Sequence, residues 1–203
     1  MDEQHPARIV VDSLGGDERL DRLTRTLEEV ADRLIGDRDG PRSRALRGEW
    51  LGHPLHPMLT DLPIGFWTSA FLLDFGGRRL AAASKLMVAA GLISAIPTAA
   101  AGLADLRDRD ETADRRIGSA HAVANSAALL FYSRSLWHRL RGRRLRGVMA
   151  GMAGAAAATA GGYLGGHLAF GETPTPSAQT AANAEEAGIV DQQGAALAMA
   201  AGS

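Results

Sequence analysis

The sequence predicts an all-α protein: an integral membrane four-helix bundle with a polar N-terminal amphipathic helix and a disordered C-terminal tail. Three observations predict it. Charge is segregated along the chain: residues 1–50 are dense in Arg, Asp and Glu, whereas about 57–76, 80–104, 117–137 and 147–170 are of bilayer-spanning length and carry few charges. The last of these stretches carries no Asp, Glu, Lys or Arg, although the exposed face of a soluble helix needs them. Its glycines Gly147 and Gly151, Gly161 and Gly165, and Gly162 and Gly166 repeat every four residues, the spacing that lets membrane helices approach closely. The mean hydropathy of −0.06 averages these apolar spans with charged flanks.

Three regions follow. Residues 1–45 form the polar N-terminal region. Within it, 17–35 place Leu20, Leu23, Leu27, Val30 and Leu34 at alternating spacings of three and four. That gives an amphipathic helix able to lie on the bilayer, pair with itself or cover the domain. Residues 37–44, DRDGPRSR, read as a linker. Residues 46–170 form the transmembrane domain. The charged N-terminus lacks the apolar core of a cleaved leader, so the first span is expected to serve as its own insertion signal. Residues 171–203 are Pro/Ala/Ser/Gln-rich and read as largely disordered, with a weak helical tendency in AEEAGIVDQQGAALAMAA.

Composition excludes several functions. With 22 Lys+Arg against 23 Asp+Glu there is no global basic field, so nucleic acid is not an expected partner. The absence of cysteine removes disulfides, thiolate metal sites, Cys-held iron–sulfur clusters and a Cys nucleophile. No phosphate loop, nucleophile elbow or zincin motif is present, and no enzyme activity is indicated for the chain by itself.

The arginines of the third connection (Arg134, Arg139, Arg141, Arg143, Arg144, Arg146) and of the first (Arg78, Arg79) make those turns cytoplasmic. Both termini then lie outside, although Arg42, Arg44 and Arg47 pull the other way. Alternation of four spans places His53, His56, Asp105, His121 and His167 at one membrane face, the outer one. His5 and His138 lie elsewhere and read as solvated. Helical spacing puts His121 with Asn125, Thr159 with Tyr163 and His167, and Thr98 with Asp105 on shared faces, with Asp61 a turn inside the first span. These faces are expected to point inward, because polar groups at membrane depth are costly unless paired.

Such a cluster suits three chemistries. Neutral imidazoles on facing helices ligate haem b, with His53 or His56 opposite His121 or His167. Three histidines with Asp61 or Asp105 suit a mononuclear zinc, iron or copper site; His56, His121 and His167 are the favoured ligands, with Tyr163 and Asn125 in support. A protonatable His/Asp network serves a proton relay or quinone pocket without metal. The leading expectation is a redox-associated membrane subunit holding haem b or a metal at this cluster; the alternative is a non-catalytic membrane scaffold or small transporter, in which these groups bond one another to fix helix register or handle protons. His53-Pro54-Leu55-His56-Pro57 is first of all a rigid turn ahead of a helix, beside the interfacial Trp50.

The run GEWLGHPLHPMLTDLPIGFWTSAFLLDFGG, then GLISAIPTAAAGLADL, RRIGSAHAVANSAALLFYSRSL and GGYLGGHLAF, resembles in order the bacterial membrane family called domain of unknown function 2231, over roughly residues 46–170. His53, His56, Asp61, Asp105, His121, Asn125 and His167 match its motif segments, while Leu106 stands where a Trp is usual. Family members are often joined to a Rieske [2Fe–2S] domain. The resemblance therefore implies an inner-membrane electron-transfer setting and, since 171–203 contain neither Cys nor His, a separate Rieske-type or other electron-transfer protein as partner. The bilayer itself and a second copy of the chain complete the expected partners.

Overall fold

The structure, a computed structural model, describes residues 6–170. All its regular elements are helical: α1 (Pro6–Gly16), α2 (Leu20–Ile35), α3 (Pro41–Arg47), a 3-10 turn (Glu49–Leu51), α4 (Leu55–Asp74), α5 (Ala81–Arg107), α6 (Thr112–Leu140) and α7 (Arg144–Phe170). The four long helices coincide with the four expected spans, but only α5 is both long and apolar enough to cross a membrane by composition. The expected tail lies outside the described residues.

Two elements differ from expectation. The 37–44 linker runs into α3, begun by Pro41 at its first position and ended by Gly48 in the left-handed region (φ +81°). At Gly48 a side chain would also collide with the His53 carbonyl, so the turn into α4 depends on glycine. An additional helix, α1, packs Val11 with Ile117 and Leu164.

The core of the long helices is a set of small residues around two aromatic rings. Trp67 of α4 and Tyr132 of α6 stack at 4.0 Å between centroids, 11° from parallel, among Ala70, Val88, Ala95 and Ala128. Each ring lies on a glycine of the next helix, Trp67 on Gly91 and Tyr132 on Gly154, where no side chain would fit. Pro63 withholds the N–H that would have bonded the Leu59 carbonyl, and the Thr98 hydroxyl of α5 stands beside that carbonyl at 3.2 Å, its one proton shared between it and the Ser94 carbonyl at 2.9 Å.

These contacts repeat. Trp67 and Tyr132 are 65 residues apart, as are two further contacting pairs, His56 with His121 and Asp74 with Arg139. The partners of each member on the following helix keep an offset of 63: Gly91 and Gly154, Gly102 and Gly165, Ser84 and Gly147. Residues that touch their own equivalents lie on a two-fold axis. The α4–α5 and α6–α7 hairpins are thus two copies of one unit, related by a pseudo-two-fold along which the three pairs are strung.

Helices α1 to α3 cover the ends of α5 and α6. Helix α2 supplies three carboxylates to three arginines: Asp21 to Arg116 (2.7 Å), Asp32 to Arg107 (2.7 Å) and Glu28 to Arg115. Thr24 and Ser119 bond across the same contact at 2.7 Å. Arg107 is buried and also donates to the Gly36 carbonyl and to buried Ser43. The docking stripe is therefore Thr24, Ala31 and Ile35, and Leu34 of the expected leucine stripe stands 70% exposed. Polar pairing, which periodicity of leucines does not register, rotates the helix.

The Asp21 carboxyl is held below its ordinary range, first by its hydrogen bond from Arg116. Its stabilising contribution is complete above the unfolded value of about 3.9 and is lost as pH falls from there through the lowered folded value. Thermal unfolding of the detergent-solubilised protein should thus lose stability below about pH 4. Arg116→Gln should flatten that acid limb, and an unchanged limb in the variant would remove Asp21–Arg116 as its source.

Candidate functional site

Among the expected site residues, the structure brings together His56, His121, Asn125 and Thr98. The two rings meet edge to face with centroids 5.9 Å apart. Each is held identically. His56 Nδ1 lies 2.8 Å from the Thr98 carbonyl and His121 Nδ1 lies 2.7 Å from the Gly161 carbonyl. A carbonyl only accepts, so both Nδ1 atoms carry the proton and both Nε2 atoms present a lone pair. Four residues beyond each carbonyl a glycine makes room for the ring: a side chain at Gly102 would come within 2.8 Å of His56, and one at Gly165 within 2.8 Å of His121.

The two halves then differ. Asn125 Nδ2, one turn along α6, donates to His121 Nε2 at 2.9 Å. The equivalent of Asn125 in the first hairpin is Thr60, whose hydroxyl donates instead to the His56 carbonyl at 2.8 Å. His121 is consequently fully bonded, whereas His56 Nε2 has no hydrogen-bond partner among the described residues.

The other expected residues stand apart from this pair. His53 is exposed in the turn before α4, and Asp61 is exposed because the packing stripe of α4 runs through His56, Pro63, Trp67 and Ala70. On α7 the packing face is the glycine row Gly147, Gly154, Gly161, so Thr159 and Tyr163 face outward, Tyr163 at 50% exposure, and not inward as their spacing suggested. His167 and Asp105 are half-buried at the same end of the bundle. No three His, Cys, Asp or Glu side chains converge as a metal-holding group among the described residues. His138, expected to be solvated, is buried against Trp137, because α6 continues to Leu140.

A second polar centre lies at the opposite end of the axis. From His56 to Asp74, and equally from His121 to Arg139, the helices advance 18 residues, about 27 Å. There Arg139 grips Asp74 with two parallel hydrogen bonds (2.8 and 2.7 Å), both side chains being less than a tenth exposed. Ser84 Oγ donates to Asp74 at 2.9 Å, and Arg144 bonds the Asp74 backbone carbonyl. The parity argument that gathered the histidines also gathers Asp74 with Arg139 and Arg144. The signal was a lone carboxylate at the end of an apolar run.

A helical bundle that turns apolar side chains outward and pairs its polar ones on an internal axis defines a class, the all-helical module with an apolar exterior. The model of the domain of unknown function 2231, described as a predicted membrane protein, matches residues 52–173. The chain belongs to this family. The match begins just ahead of α4, so α1 to α3 fall outside it. The comparison with curated proteins found no match, and that with solved structures found none.

Proposed function

We propose that the chain is a four-span membrane module without a catalytic centre of its own, in which two equivalent hairpins are keyed together by polar pairs and the His56–His121 pair is the group able to handle a proton. The observation that carries this reading is the inside-out distribution of side chains. Leu62, Phe71, Leu72, Ile93, Ile96, Leu130 and Met149 are all more than 40% exposed, on all four long helices, while the polar groups pair inward. Water would not stabilise such a surface, and lipid does. The positive ends of the hairpins then lie in the cytoplasm, with the histidine pair and α1 to α3 outside.

Because the chain contains no cysteine, single introduced thiols report topology directly. Arg78→Cys and Arg141→Cys should react with an impermeant maleimide from one side of the membrane and Asp110→Cys from the other, with the protein retained after alkaline carbonate extraction. Release by carbonate, or labelling of all three from one side, would refute the reading.

A second reading, ligation of haem b or a single metal ion in an electron-transfer system, is favoured by one feature. Imidazoles that hold a metal typically donate the other ring N–H to a backbone carbonyl, as both do here. His56 Nε2 and, after displacement of Asn125, His121 Nε2 are the ligand atoms in that case. A reduced-minus-oxidised spectrum with elemental analysis on protein from its native host decides between them. The first reading requires no haem band and no stoichiometric metal. Stoichiometric haem or metal lost in His121→Ala would establish the second and bring a Rieske-type partner into consideration.

A further inference from the structure

The α6–α7 turn combines unpaired cations with an exposed aromatic and aliphatic rim. From Arg115 to Phe170 the chain contains no Asp or Glu, yet six arginines lie between 134 and 146. Two of these, Arg139 and Arg144, are consumed by Asp74. The other four, Arg134, Arg141, Arg143 and Arg146, are exposed, and no carboxylate lies within ion-pair distance of them among the described residues. All four act on one point, the buried His138, whose imidazole is held below its ordinary value first by burial and then by these arginines. They therefore form one local field and not four scattered charges.

The surroundings of that field are those of a headgroup layer. Arg141 lies over the Trp137 ring at 4.0 Å. Trp137, Leu140 and Leu145 are 43%, 64% and 73% exposed, and no described element covers them. An indole with a polar edge and two leucines beside guanidinium groups matches the boundary between acyl chains and phosphates. A soluble acidic protein would satisfy the charges but leave the leucines in water.

Building on the four-span reading, we propose that the α6–α7 turn is a binding site for an anionic phospholipid, its phosphate held by Arg141, Arg143 and Arg146 and its acyl chains laid against Leu140 and Leu145. The charge asymmetry of the domain supports this. Arg78 and Arg79 lie at the neighbouring α4–α5 turn, and Asp74, already neutralised, is the one acidic side chain at that end among the described residues. Clusters of four to eight basic residues beside a membrane span attract anionic lipid by roughly fivefold per residue.

The test uses the full chain in a neutral detergent, titrated with phosphatidylglycerol and, separately, phosphatidylcholine, with retained lipid counted by native mass spectrometry. Phosphatidylglycerol should be retained saturably at least tenfold more tightly than phosphatidylcholine, with retention falling as sodium chloride rises. Arg141→Gln/Arg143→Gln/Arg146→Gln should abolish the preference, while Arg22→Gln/Arg25→Gln/Arg42→Gln, removing equal charge at the other end, should leave it intact. Equal retention of the two lipids by the unmodified protein overturns the proposal and needs no variant to fold. So does an equal loss in both triple variants, or displacement by millimolar inorganic phosphate, which would make the site one for free phosphate. A protein that stays monodisperse without detergent overturns the four-span reading instead, a result distinct from these.

Discussion

Asp74→Ala is expected to destabilise the domain by about 3–5 kcal/mol, because it leaves the Arg139 guanidinium buried and without its carboxylate. The pair contributes no comparable net stability as a whole, since removing two charges from water costs nearly what their attraction returns. Replacing both, Asp74→Leu with Arg139→Met, should therefore recover most of the loss. The pseudo-two-fold yields a sharper form of this expectation. Asp74 and Arg139 occupy equivalent positions in the two hairpins, so Asp74→Arg/Arg139→Asp reverses the pair without moving it. Recovery should be partial, because Ser84, which donates to Asp74, has Gly147 as its equivalent, and the one hydroxyl beside position 139, that of Ser135, already donates to the Gly147 carbonyl at 2.6 Å. Unfolding by dodecyl sulfate in mixed micelles measures all four proteins. A charge reversal no better than Asp74→Ala would mean that the surroundings, and not the pairing, determine the cost.

Much of this arrangement is legible in the sequence, and the legible part has a physical reason. Charge segregation and chain parity are properties of whole segments, so the four long helices follow from them, and so does one shared end for His53, His56, His121 and His167, but not which two of these meet. Orientation about each helix axis is set by which face packs, and on α7 that is a row of glycines. The cost of polar groups at membrane depth points Thr159 and Tyr163 inward, but it gives glycine no weight, and the glycine row takes the inner face. The same blindness hides the internal repeat. Identity between the hairpins is confined to positions such as His56 and His121, Gly91 and Gly154, or Gly102 and Gly165, while Trp67 is matched by Tyr132 and Asp74 by Arg139. What is retained is a relation between sizes: a ring opposite a glycine, a hydroxyl opposite a carbonyl. Helix α2 forms and covers the domain, one of the three roles its amphipathic pattern allows, but its docking stripe is centred on Thr24 and three ion pairs, which a count of leucines does not see.

The histidine centre offers the second large effect, and it arises where the halves differ. Gly161 is the equivalent of Thr98, but its surroundings leave no room for a side chain: an added methyl would lie 2.6 Å from Asn125 Oδ1 and 3.1 Å from its Nδ2. Gly161→Ala should therefore displace the amide from His121 Nε2 and cost about 1–3 kcal/mol through crowding, on top of the lost hydrogen bond. Asn125→Ala alone should cost about 1–3 kcal/mol, because it leaves the Nε2 lone pair buried without a donor. In the double variant the methyl enters the space the amide vacates, so the two losses should not add, and the coupling should exceed about 0.5 kcal/mol. Across the axis the relation is reversed, since the position opposite Thr98 already accommodates a side chain. Thr98→Gly should remove the hydroxyl shared by the Ser94 and Leu59 carbonyls without crowding anything, and should show no coupling to Asn125→Ala. Strict additivity of Gly161→Ala and Asn125→Ala in the same micelle unfolding measurement would show that Gly161 is retained for the approach of helix backbones and not to seat the amide against His121.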